Sequence, residues 1–256
     1  MTGTAPGAAL VTGASQRIGR ALALELGTLG YAVAVHYHHS ADEAGATVAA
    51  IRAAGGRAER FAADLAVEAA TQALIPEITG ALGPVTCLVN NAARFERDEV
   101  DSADRASWDL HLETNLRAPF VLAQAMASAL PRAAEGNVVN LLDQRVWRLT
   151  PHFVSYTVSK VGLWGLTQSL ALALAPRVRV NAIGPGPALP SPRQSDAQFA
   201  AQSARLPLKR GTTPDEIAAA LRFILVSRSM TGQMIALDGG QHLGWSFPTA
   251  GTAPEE

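Results

Sequence analysis

Short runs of apolar and β-branched residues alternate along the chain with longer stretches rich in Ala and Leu. In the longer stretches, such as 18–30 and 159–175, the apolar residues recur at helical spacing, whereas the short runs have the length and composition of buried strands. Strands that alternate with helices indicate βαβ units and a parallel sheet. The seven strand candidates are 8–13, 31–37, 57–63, 85–91, 137–142, 177–183 and 233–240.

The order of these elements favours one domain, because neither an internal repeat nor a linker interrupts it. We predict a single-domain, doubly wound α/β fold over residues 1–256, with a seven-stranded, mostly parallel sheet and helices on both faces. A Pro- and Gly-rich stretch follows the sixth strand candidate, and we predict a substrate lid at about 184–205. A plain surface connection is the alternative. We expect the tail at about 246–256 to be flexible.

Composition and charge narrow the class of protein. The chain has 256 residues, 48% of them hydrophobic, and a formal net charge of −1. Proteins that bind nucleic acid or an anionic membrane usually carry a basic excess, so we expect neither partner. The single cysteine, Cys87, excludes an internal disulfide framework. Neither a secretory signal nor an apolar run of membrane-spanning length is present, and we therefore expect a cytoplasmic protein.

A glycine-bearing turn, Thr12–Gly19, joins the first strand candidate to the first helix. Its glycines allow the backbone to turn tightly and to approach a pyrophosphate, while the helix start supplies free N–H groups and a positive dipole end. We therefore predict a phosphate-binding turn, with a plain βα turn as the alternative. Its candidate cofactor-binding residues are Gly13, Ser15, Gln16, Arg17, Ile18 and Gly19.

The second strand candidate ends in a histidine-rich stretch. An enzyme for the unphosphorylated dinucleotide needs a carboxylate here to accept from the ribose hydroxyl, and none precedes Asp42. The stretch offers donors suited to a 2′-phosphate, and Arg17 adds a fixed cation, so we favour NADP(H) over NAD(H). The alternatives are an exposed loop and a metal site of His36, His38 and His39, which no carboxylate or cysteine completes. We predict no metal and cofactor contacts from Tyr37, His38, His39 and Ser40.

Polar residues also follow the third and fourth strand candidates. Asp64, next to Leu65, could bond an adenine amino group or merely cap the following helix. Asn90 and Ala92 lie at the end of the fourth strand candidate, at the carboxyl edge where open α/β sheets bind ligands. We predict that all four residues contact the cofactor.

Tyr156 and Lys160 are the candidate catalytic pair. They are four residues apart at the start of a predicted helix, so they share a face. A lysine beside a phenol favours the phenolate and lowers the pKa of the tyrosine, which makes the phenol a usable acid–base group near neutral pH. The pair is informative because it follows the fifth strand candidate of a nucleotide-binding sheet.

Together these motifs resemble the short-chain dehydrogenase/reductase family, and the resemblance extends over residues 8–240. It implies a Rossmann fold and an NADP-dependent oxidoreductase. It also implies that Tyr156 is the proton donor, that Lys160 binds the ribose hydroxyls, and that Asn115 holds a water in the proton relay. The matching pieces are the Thr12–Gly19 turn, Asp64, Asn90-Asn91-Ala92, Asn115, Tyr156 with Lys160, and Pro185-Gly186.

The same resemblance implies further contacts and an assembly. Asn90 lines the path of the cofactor, while Pro185 and Gly186 flank the nicotinamide. Members of the family usually form homotetramers through helices like those expected here at 105–130 and 154–175.

Two residues depart from the family's pattern. Arg17 stands where the turn usually has a glycine, and Asp143 replaces the catalytic serine. An ionised aspartate cannot donate to a substrate carbonyl, and it raises the pKa of a neighbouring tyrosine. Asp143 is therefore expected either to be protonated when it acts or to face a substrate rich in N–H donors. The alternative is that Asp143 has drifted and the enzyme is impaired.

Both departures occur together in pteridine reductases and dihydromonapterin reductases, which the chain resembles. The resemblance implies NADPH-dependent reduction of a pterin C=N bond, with Tyr156 and Asp143 delivering the proton. Phe95 is expected to stack on the pterin and Trp147 to line the same pocket, although either could be a packing residue. The alternatives are an NADPH-dependent carbonyl reductase of ketones or oxoacyl compounds, and a catalytically weak NADP-binding protein.

Overall fold

The computed structural model describes residues 6–191 and 193–244, so the predicted flexible tail at 246–256 lies outside the described residues. Within them, strands and helices alternate as the sequence predicts. The strands are β1 (Ala8–Val11), β2 (Ala32–Tyr37), β3 (Arg57–Ala62), β4 (Val85–Asn90), β5 (Gly136–Leu141), β6 (Val178–Pro185) and β7 (Met234–Leu237). The helices are α1 (Arg17–Thr28), α2 (Ala41–Ala53), α3 (Glu68–Leu82), α4 (Arg105–Leu112), α5 (Ala118–Ala129), α6 (Val154–Ala173), α7 (Asp196–Ala204) and α8 (Pro214–Val226).

The strands form one sheet in the order β3-β2-β1-β4-β5-β6-β7. Every neighbouring pair is parallel, which confirms the doubly wound α/β fold. The order along the sheet reverses between β1 and β4. In open α/β sheets, ligands bind outside the carboxyl ends of the strands at such a reversal.

Both faces of the sheet are buried, because successive side chains of a strand point to opposite sides. Ala8 and Leu10 of β1 pack in one apolar layer, which includes residues of α3, α5 and α6. Ala9 and Val11 pack in the other layer, which includes residues of α1, α2 and α8. The sheet is therefore a rigid base from which the loops at its carboxyl edge project.

The segment at 184–205 is more regular than its Pro and Gly content suggests. Its first two residues complete β6, and its last part forms α7. The hydroxyl of Ser195 accepts from Gln198 N, and the Gln198 side chain accepts from Ser195 N. This reciprocal capping box starts a helix where composition alone predicts a loop. No helix in the described ranges is long and apolar enough to cross a membrane.

Candidate active site

Two adjoining cavities open at the carboxyl edge of the sheet. We call the larger of the two, of about 400 Å³, the large cavity, and the other, of about 220 Å³, the small cavity. Arg17 and Ile18 line both and mark their boundary. A third cavity, of about 430 Å³, lies elsewhere in the molecule, and none of the candidate residues lines it. Candidates on the large cavity are Gly13, Ser15, Gln16, Gly19, His38, His39, Ser40, Asp64, Leu65 and Ala92, and those on the small cavity are Phe95, Asp143, Tyr156, Pro185 and Gly186.

The predicted phosphate-binding turn leads into α1. Gln16, at the N-cap of α1, makes no side-chain cap, and the first turn holds no acidic residue. The amide groups at the helix start therefore remain available to an anion. A Cβ atom on Gly19 would lie 2.1 Å from Gly13 O and 2.6 Å from Asn91 Nδ2, so only glycine fits there. Gly13 itself has a φ of +63°, which favours glycine.

Side chains at the end of β4 fix the position of this turn. The Thr12 hydroxyl donates to Val89 O at 3.4 Å and accepts from the backbone N–H groups of Asn91 and Ala92, both at 3.0 Å. Asn91 Nδ2 donates to Thr12 O at 2.9 Å and to Gly13 O at 3.1 Å. These bonds join β1 and β4 at the reversal of strand order, directly beneath the large cavity.

His36 supports the turn from below. Its Nδ1 accepts from Gly13 N at 3.1 Å, so Nε2 carries the proton and donates to Ala63 O at 3.2 Å. Burial lowers the pKa of His36 to about 4. Because both ring nitrogens are engaged, His36 is not available as a metal ligand. In the described part of the chain, no three His, Cys, Asp or Glu side chains form a metal-binding group.

The residues after β2 and β3 meet across the large cavity. His38 Nε2 lies 3.7 Å from Asp64 Oδ2, and the rings of His38 and His39 lie 3.5 Å apart. Asp64 Oδ1 accepts from Ala66 N at 3.0 Å, so Asp64 stabilises the turn before α3 and does not cap the helix. Tyr37 differs from its neighbours, because its ring packs against an apolar layer of the core and does not line the cavity.

Arg17 connects the turn to the 184–205 segment. Its Nη2 donates to Pro190 O at 3.0 Å and to Leu189 O at 3.4 Å. Its backbone has a φ of +54°, a conformation in which glycine is the usual residue. The guanidinium thus contacts the 184–205 segment, and its contact with a 2′-phosphate stays a prediction.

Asn90 lies at the end of a buried chain of hydrogen-bonded polar side chains, and it does not line either cavity. Its Nδ2 donates to Asn140 Oδ1 at 2.8 Å, and Asn140 Nδ2 donates to Thr167 Oγ1 at 2.9 Å. The Oδ1 atom of Asn90 is buried and has no hydrogen-bond partner among the described residues. An unsatisfied buried acceptor is unfavourable by about 1–3 kcal/mol. The expected contact of Asn90 with the cofactor stays a prediction.

Asn115 fixes the loop that carries Phe95. It lies in a single π-helical turn, Glu113–Arg117, between α4 and α5. Its Oδ1 accepts from Arg94 N at 2.8 Å, and its Nδ2 donates to Arg94 O and to Ser159 Oγ, both at 3.0 Å. Local π-helix is frequent at functional sites. The side chain is fully engaged with protein groups, and the predicted bound water stays a prediction.

Tyr156, Asp143 and Arg145 form one hydrogen-bonded group in the small cavity. The Tyr156 hydroxyl donates to Asp143 Oδ2 at 3.1 Å, and Arg145 Nη1 donates to the same oxygen at 2.9 Å. Asp143 Oδ1 accepts from the backbone N–H of Arg145 at 2.8 Å, at the start of the 3₁₀-helix Gln144–Val146. Tyr156 is thus held as a hydrogen-bond donor beside a carboxylate.

The buried pair on α6 has perturbed pKa values. Burial raises the pKa of Tyr156 well above its usual value, and Asp143 raises it further while Arg145 lowers it. Burial lowers the pKa of Lys160 to about 8. Lys160 Nζ donates to Leu141 O at 2.7 Å and lies 5.8 Å from the centroid of the Tyr156 ring. Burial dominates here, so the pKa of Tyr156 lies above its ordinary value, and the lowering expected from Lys160 stays a prediction.

Phe95 belongs to an aromatic cluster on the wall of the small cavity. Its ring stacks on Phe153 with centroids 4.6 Å apart and meets the Tyr156 ring edge-on at the same distance. Trp147 is elsewhere: its ring contacts His242, it is 44% exposed, and it does not line the small cavity. The 3₁₀-helix after Asp143 turns the chain so that Arg145, and not Trp147, faces the other pocket residues.

Pro185 and Gly186 form the wall of the small cavity at the end of β6. Pro185 pairs in register with Leu237 of β7, and Gly186 N donates to Leu237 O at 3.0 Å. A Cβ atom on Gly186 would lie 2.8 Å from Asp238 Cα. The close approach of the two backbones therefore requires glycine at this position.

Sequence reasoning missed Arg145, Asp98 and Phe153. Asp98 accepts at its backbone O from Phe153 N and Val154 N, and at its Oδ1 from Ser155 N, so it caps the start of α6. Phe153 has a φ of +57° and is completely buried. An Asp-x-Arg spacing after a strand is the one available sequence signal for Arg145. Nothing in the sequence pairs Asp98 with a helix more than fifty residues away.

Comparison with known proteins places this site in a family. Residues 13–242 match the family model described as enoyl-(acyl carrier protein) reductase. The chain is 33% identical over 240 residues to the 3-oxoacyl-[acyl-carrier-protein] reductase FabG of Staphylococcus epidermidis, which covers 92% of this chain and 98% of that protein.

Two solved structures are similar over almost the whole chain. FolM alternative dihydrofolate reductase 1 from Brucella canis, complexed with NADP, has a TM-score of 0.92 and 47% identity, covering 96% of this chain and 98% of that one. A short chain dehydrogenase from Burkholderia cenocepacia, in complex with NADP, has a TM-score of 0.86 and 35% identity, covering 93% and 99%. With the geometry of Tyr156, Lys160 and the glycine turn, these matches show that the chain belongs to the short-chain dehydrogenase/reductase family of oxidoreductases.

Proposed function

We propose that the chain is an NADPH-dependent reductase that transfers a hydride to a C=N bond of a pterin, of the dihydropteridine, dihydrobiopterin or dihydromonapterin type. The proposal rests on one observation, the hydrogen-bond acceptor that Asp143 places beside Tyr156. Asp143 takes the place of a hydroxyl donor and points both carboxylate oxygens into a network of donors. The solved FolM structure, which is 47% identical, supports the same class of substrate.

The residues of the large cavity fit NADP(H). The uncapped start of α1 and the glycines that leave no room for a Cβ atom suit a pyrophosphate. His38, His39 and Ser40 offer donors for a 2′-phosphate, and no acidic side chain of β2 competes for the ribose. The glycine at Gly186, on the wall of the small cavity, suits close approach at the nicotinamide end. When bound, the reduced nicotinamide supplies the hydride.

The chain's own residues then have three tasks in the small cavity. Tyr156 holds the proton on its hydroxyl and gives it to the substrate nitrogen, because the raised pKa keeps the phenol protonated at neutral pH. Asp143 accepts from the N–H and amino groups of the substrate, which a simple ketone does not have. Phe95 provides an aromatic wall. A cavity of about 220 Å³ suits a small fused ring more than an extended ligand.

Residues 184–205 are the proposed lid over this pocket. Arg193 Nη2 donates to Phe95 O at 2.6 Å, and its Nη1 donates to Glu96 Oε2 at 2.6 Å. Arg17 holds the carbonyl oxygens at Leu189 and Pro190. The segment is thus anchored on both sides of the small cavity, which supports a role in covering the substrate.

A second candidate function is the reduction of an oxoacyl thioester or another ketone. It is favoured by the 33% identity to 3-oxoacyl-[acyl-carrier-protein] reductase FabG and by the presence of Tyr156, Lys160 and Asn115. The carboxylate at Asp143 counts against it, because a carbonyl oxygen next to a carboxylate is repelled.

The test is NADPH oxidation by the purified protein with dihydrobiopterin, dihydromonapterin and acetoacetyl thioesters. We expect turnover of at least one pterin and little with thioesters. Asp143→Ser should reduce kcat/KM for the pterin on the order of 100-fold or more while the Kd for NADPH stays within about 2-fold. Turnover of ketones without turnover of any pterin would refute the proposal, and an unchanged rate in Asp143→Ser would remove Asp143 from the mechanism.

We also propose that the protein forms a homotetramer. Helix α6 exposes Val158, Val161 and Leu172, and a Cβ atom on Gly165 would meet nothing within 4 Å. An apolar helix face of this kind suits close contact with a second copy. Light scattering coupled to size-exclusion chromatography measures the mass directly, and a monomer at micromolar concentration would contradict the proposal.

A further inference from the structure

The buried cation in the small cavity is not part of the constellation that the family resemblance supplies. The side chain of Arg145 is only 7% exposed. Its guanidinium carbon lies 5.4 Å from the ring centroids of Phe95 and Phe153 and 5.9 Å from that of Tyr156. A guanidinium held among three aromatic rings is fixed in place both by its charge and by its flat shape.

Asp143 and Arg145 are two residues apart in the sequence, and two hydrogen bonds join them. The carboxylate caps the 3₁₀-helix through Oδ1 and receives the Arg145 side chain at Oδ2. Since Tyr156 donates to the same Oδ2 atom, the guanidinium and the phenol meet at one oxygen. A change in the charge of Arg145 therefore alters the electrostatic environment of both Asp143 and Tyr156.

The charged groups around Tyr156 show why this cation matters. Lys160 on α6 directs its ammonium to Leu141 O, and His111 on α4 places its ring 6.1 Å from the Tyr156 ring with its Nδ1 bonded to Ser155 Oγ. Arg17 lines the small cavity, but its guanidinium donates to Pro190 O. The guanidinium of Arg193 is paired with Glu96. Arg145 is the cation that shares an acceptor atom with the phenol.

We propose that Arg145 is a positioning residue that makes Asp143 usable as the substrate acceptor beside Tyr156. This inference rests on the proposed function. In that reaction the C=N π bond breaks, a C–H bond forms with the hydride pair from the reduced cofactor, and an N–H bond forms with the Tyr156 proton. The phenolate that remains lies beside a carboxylate until solvent reprotonates it. Arg145 offsets this second negative charge and keeps the carboxylate turned toward the pocket.

The test compares three variants. Arg145→Met keeps the volume among the rings and removes the charge, Arg145→Lys keeps the charge and removes the planar fork, and Arg97→Met is the matched control. Arg97 also lies over the Phe153 ring, at 5.9 Å, but its guanidinium is paired with Glu99 and not with Asp143. NADPH oxidation with the pterin is measured as separate kcat and KM values, together with the Kd for NADPH and the melting temperature.

For Arg145→Met we expect kcat to fall on the order of 100-fold, because the phenolate formed in the reaction loses its neighbouring cation. The Kd for NADPH should stay within about 2-fold. Arg145→Lys keeps the charge, so it should recover most of kcat while KM rises, and Arg97→Met should resemble the wild type. In an Asp143→Ser background, Arg145→Met should have little further effect, because the role acts through the carboxylate.

An equal fall in kcat in Arg145→Met and Arg145→Lys would overturn the inference and leave Arg145 a packing residue. Full additivity of Asp143→Ser and Arg145→Met would overturn it too. Failure of the proposed function is a different result, since the wild type itself would then turn over no pterin. In that case the same kcat comparison and the same double-mutant cycle are measured with the ketone that the wild type reduces, and an equal fall in kcat in Arg145→Met and Arg145→Lys again overturns the inference.

Discussion

The neutral histidine beneath the phosphate-binding turn makes the stability of the protein sensitive to acid. His36 accepts from Gly13 N through Nδ1, so protonation of Nδ1 removes the acceptor that holds the turn. Burial, the main cause of the lowered pKa, opposes that protonation in the folded protein. Lowering the pH is thus a perturbation that acts on one identified hydrogen bond. The variant His36→Asn offers an amide oxygen near the place of Nδ1 and has no group that titrates.

The sign and size of the effect follow from the two pKa values. The ordinary value is 6.5 and the folded value is about 4, so the unfolded chain binds the proton first as the pH falls. The contribution of His36 to the free energy of unfolding is therefore fully present above about pH 7 and is lost as the pH falls from 6.5 toward 4. At about 1.4 kcal/mol per pKa unit, the whole window is worth about 3 kcal/mol.

Urea unfolding at a series of pH values measures this directly. Between about pH 7.5 and about pH 4.5, the free energy of unfolding of the wild type should decrease by about 2–3 kcal/mol more than that of His36→Asn, because carboxylates and other histidines titrate in both proteins. The Kd for NADPH at neutral pH should remain similar in the two. Parallel pH dependences of wild type and variant would refute the reasoning, since His36 would then not titrate differently in the two states.

Three further predictions concern residues expected to bind the cofactor. Gly19→Ala places a Cβ atom 2.1 Å from Gly13 O, so we expect loss of NADPH binding by calorimetry, and binding within about 3-fold of wild type would contradict the fit. Arg17→Ala should weaken NADPH on the order of 10-fold more than NADH if the guanidinium also reads the 2′-phosphate, whereas equal losses would restrict Arg17 to holding the lid. Burial lowers the pKa of Lys160 to about 8, so kcat/KM for NADPH should decline above about pH 8; a profile flat to about pH 9.5 would show that the charge on Lys160 is not needed.

The fold could be predicted because its signals are local. Alternation of strand and helix patterns gave the parallel sheet, and the glycines at Gly13 and Gly19 fall at the point where backbones approach too closely for a Cβ atom. The segment at 184–205 was harder, because the capping box of Ser195 and Gln198 is a short signal within a Pro-rich composition.

The details of the site depend on contacts that sequence spacing does not determine. The position of Trp147, four residues after Asp143, predicts that it lines the pocket. In the structure a 3₁₀-helix after Asp143 places the Trp147 ring against His242 and brings Arg145 to the carboxylate. Tyr37 follows the alternation of β2 toward the core, so it is not on the cavity wall with His38. In each case the local backbone conformation decides which side chain faces the cavity.

The cap that Asp98 provides for α6 determines how the pocket can respond to different ligands. Asp98 lies on the loop after Phe95, and it holds the backbone of Phe153, Val154 and Ser155 directly before Tyr156. Phe95 and Tyr156, the proposed proton donor, therefore belong to one rigid body, although more than fifty residues separate them along the chain. A ligand too thick for the space next to Phe95 cannot push the ring aside without uncapping the helix that carries Tyr156. Selection among substrates should thus depend on the thickness and planarity of the ring, with little induced fit.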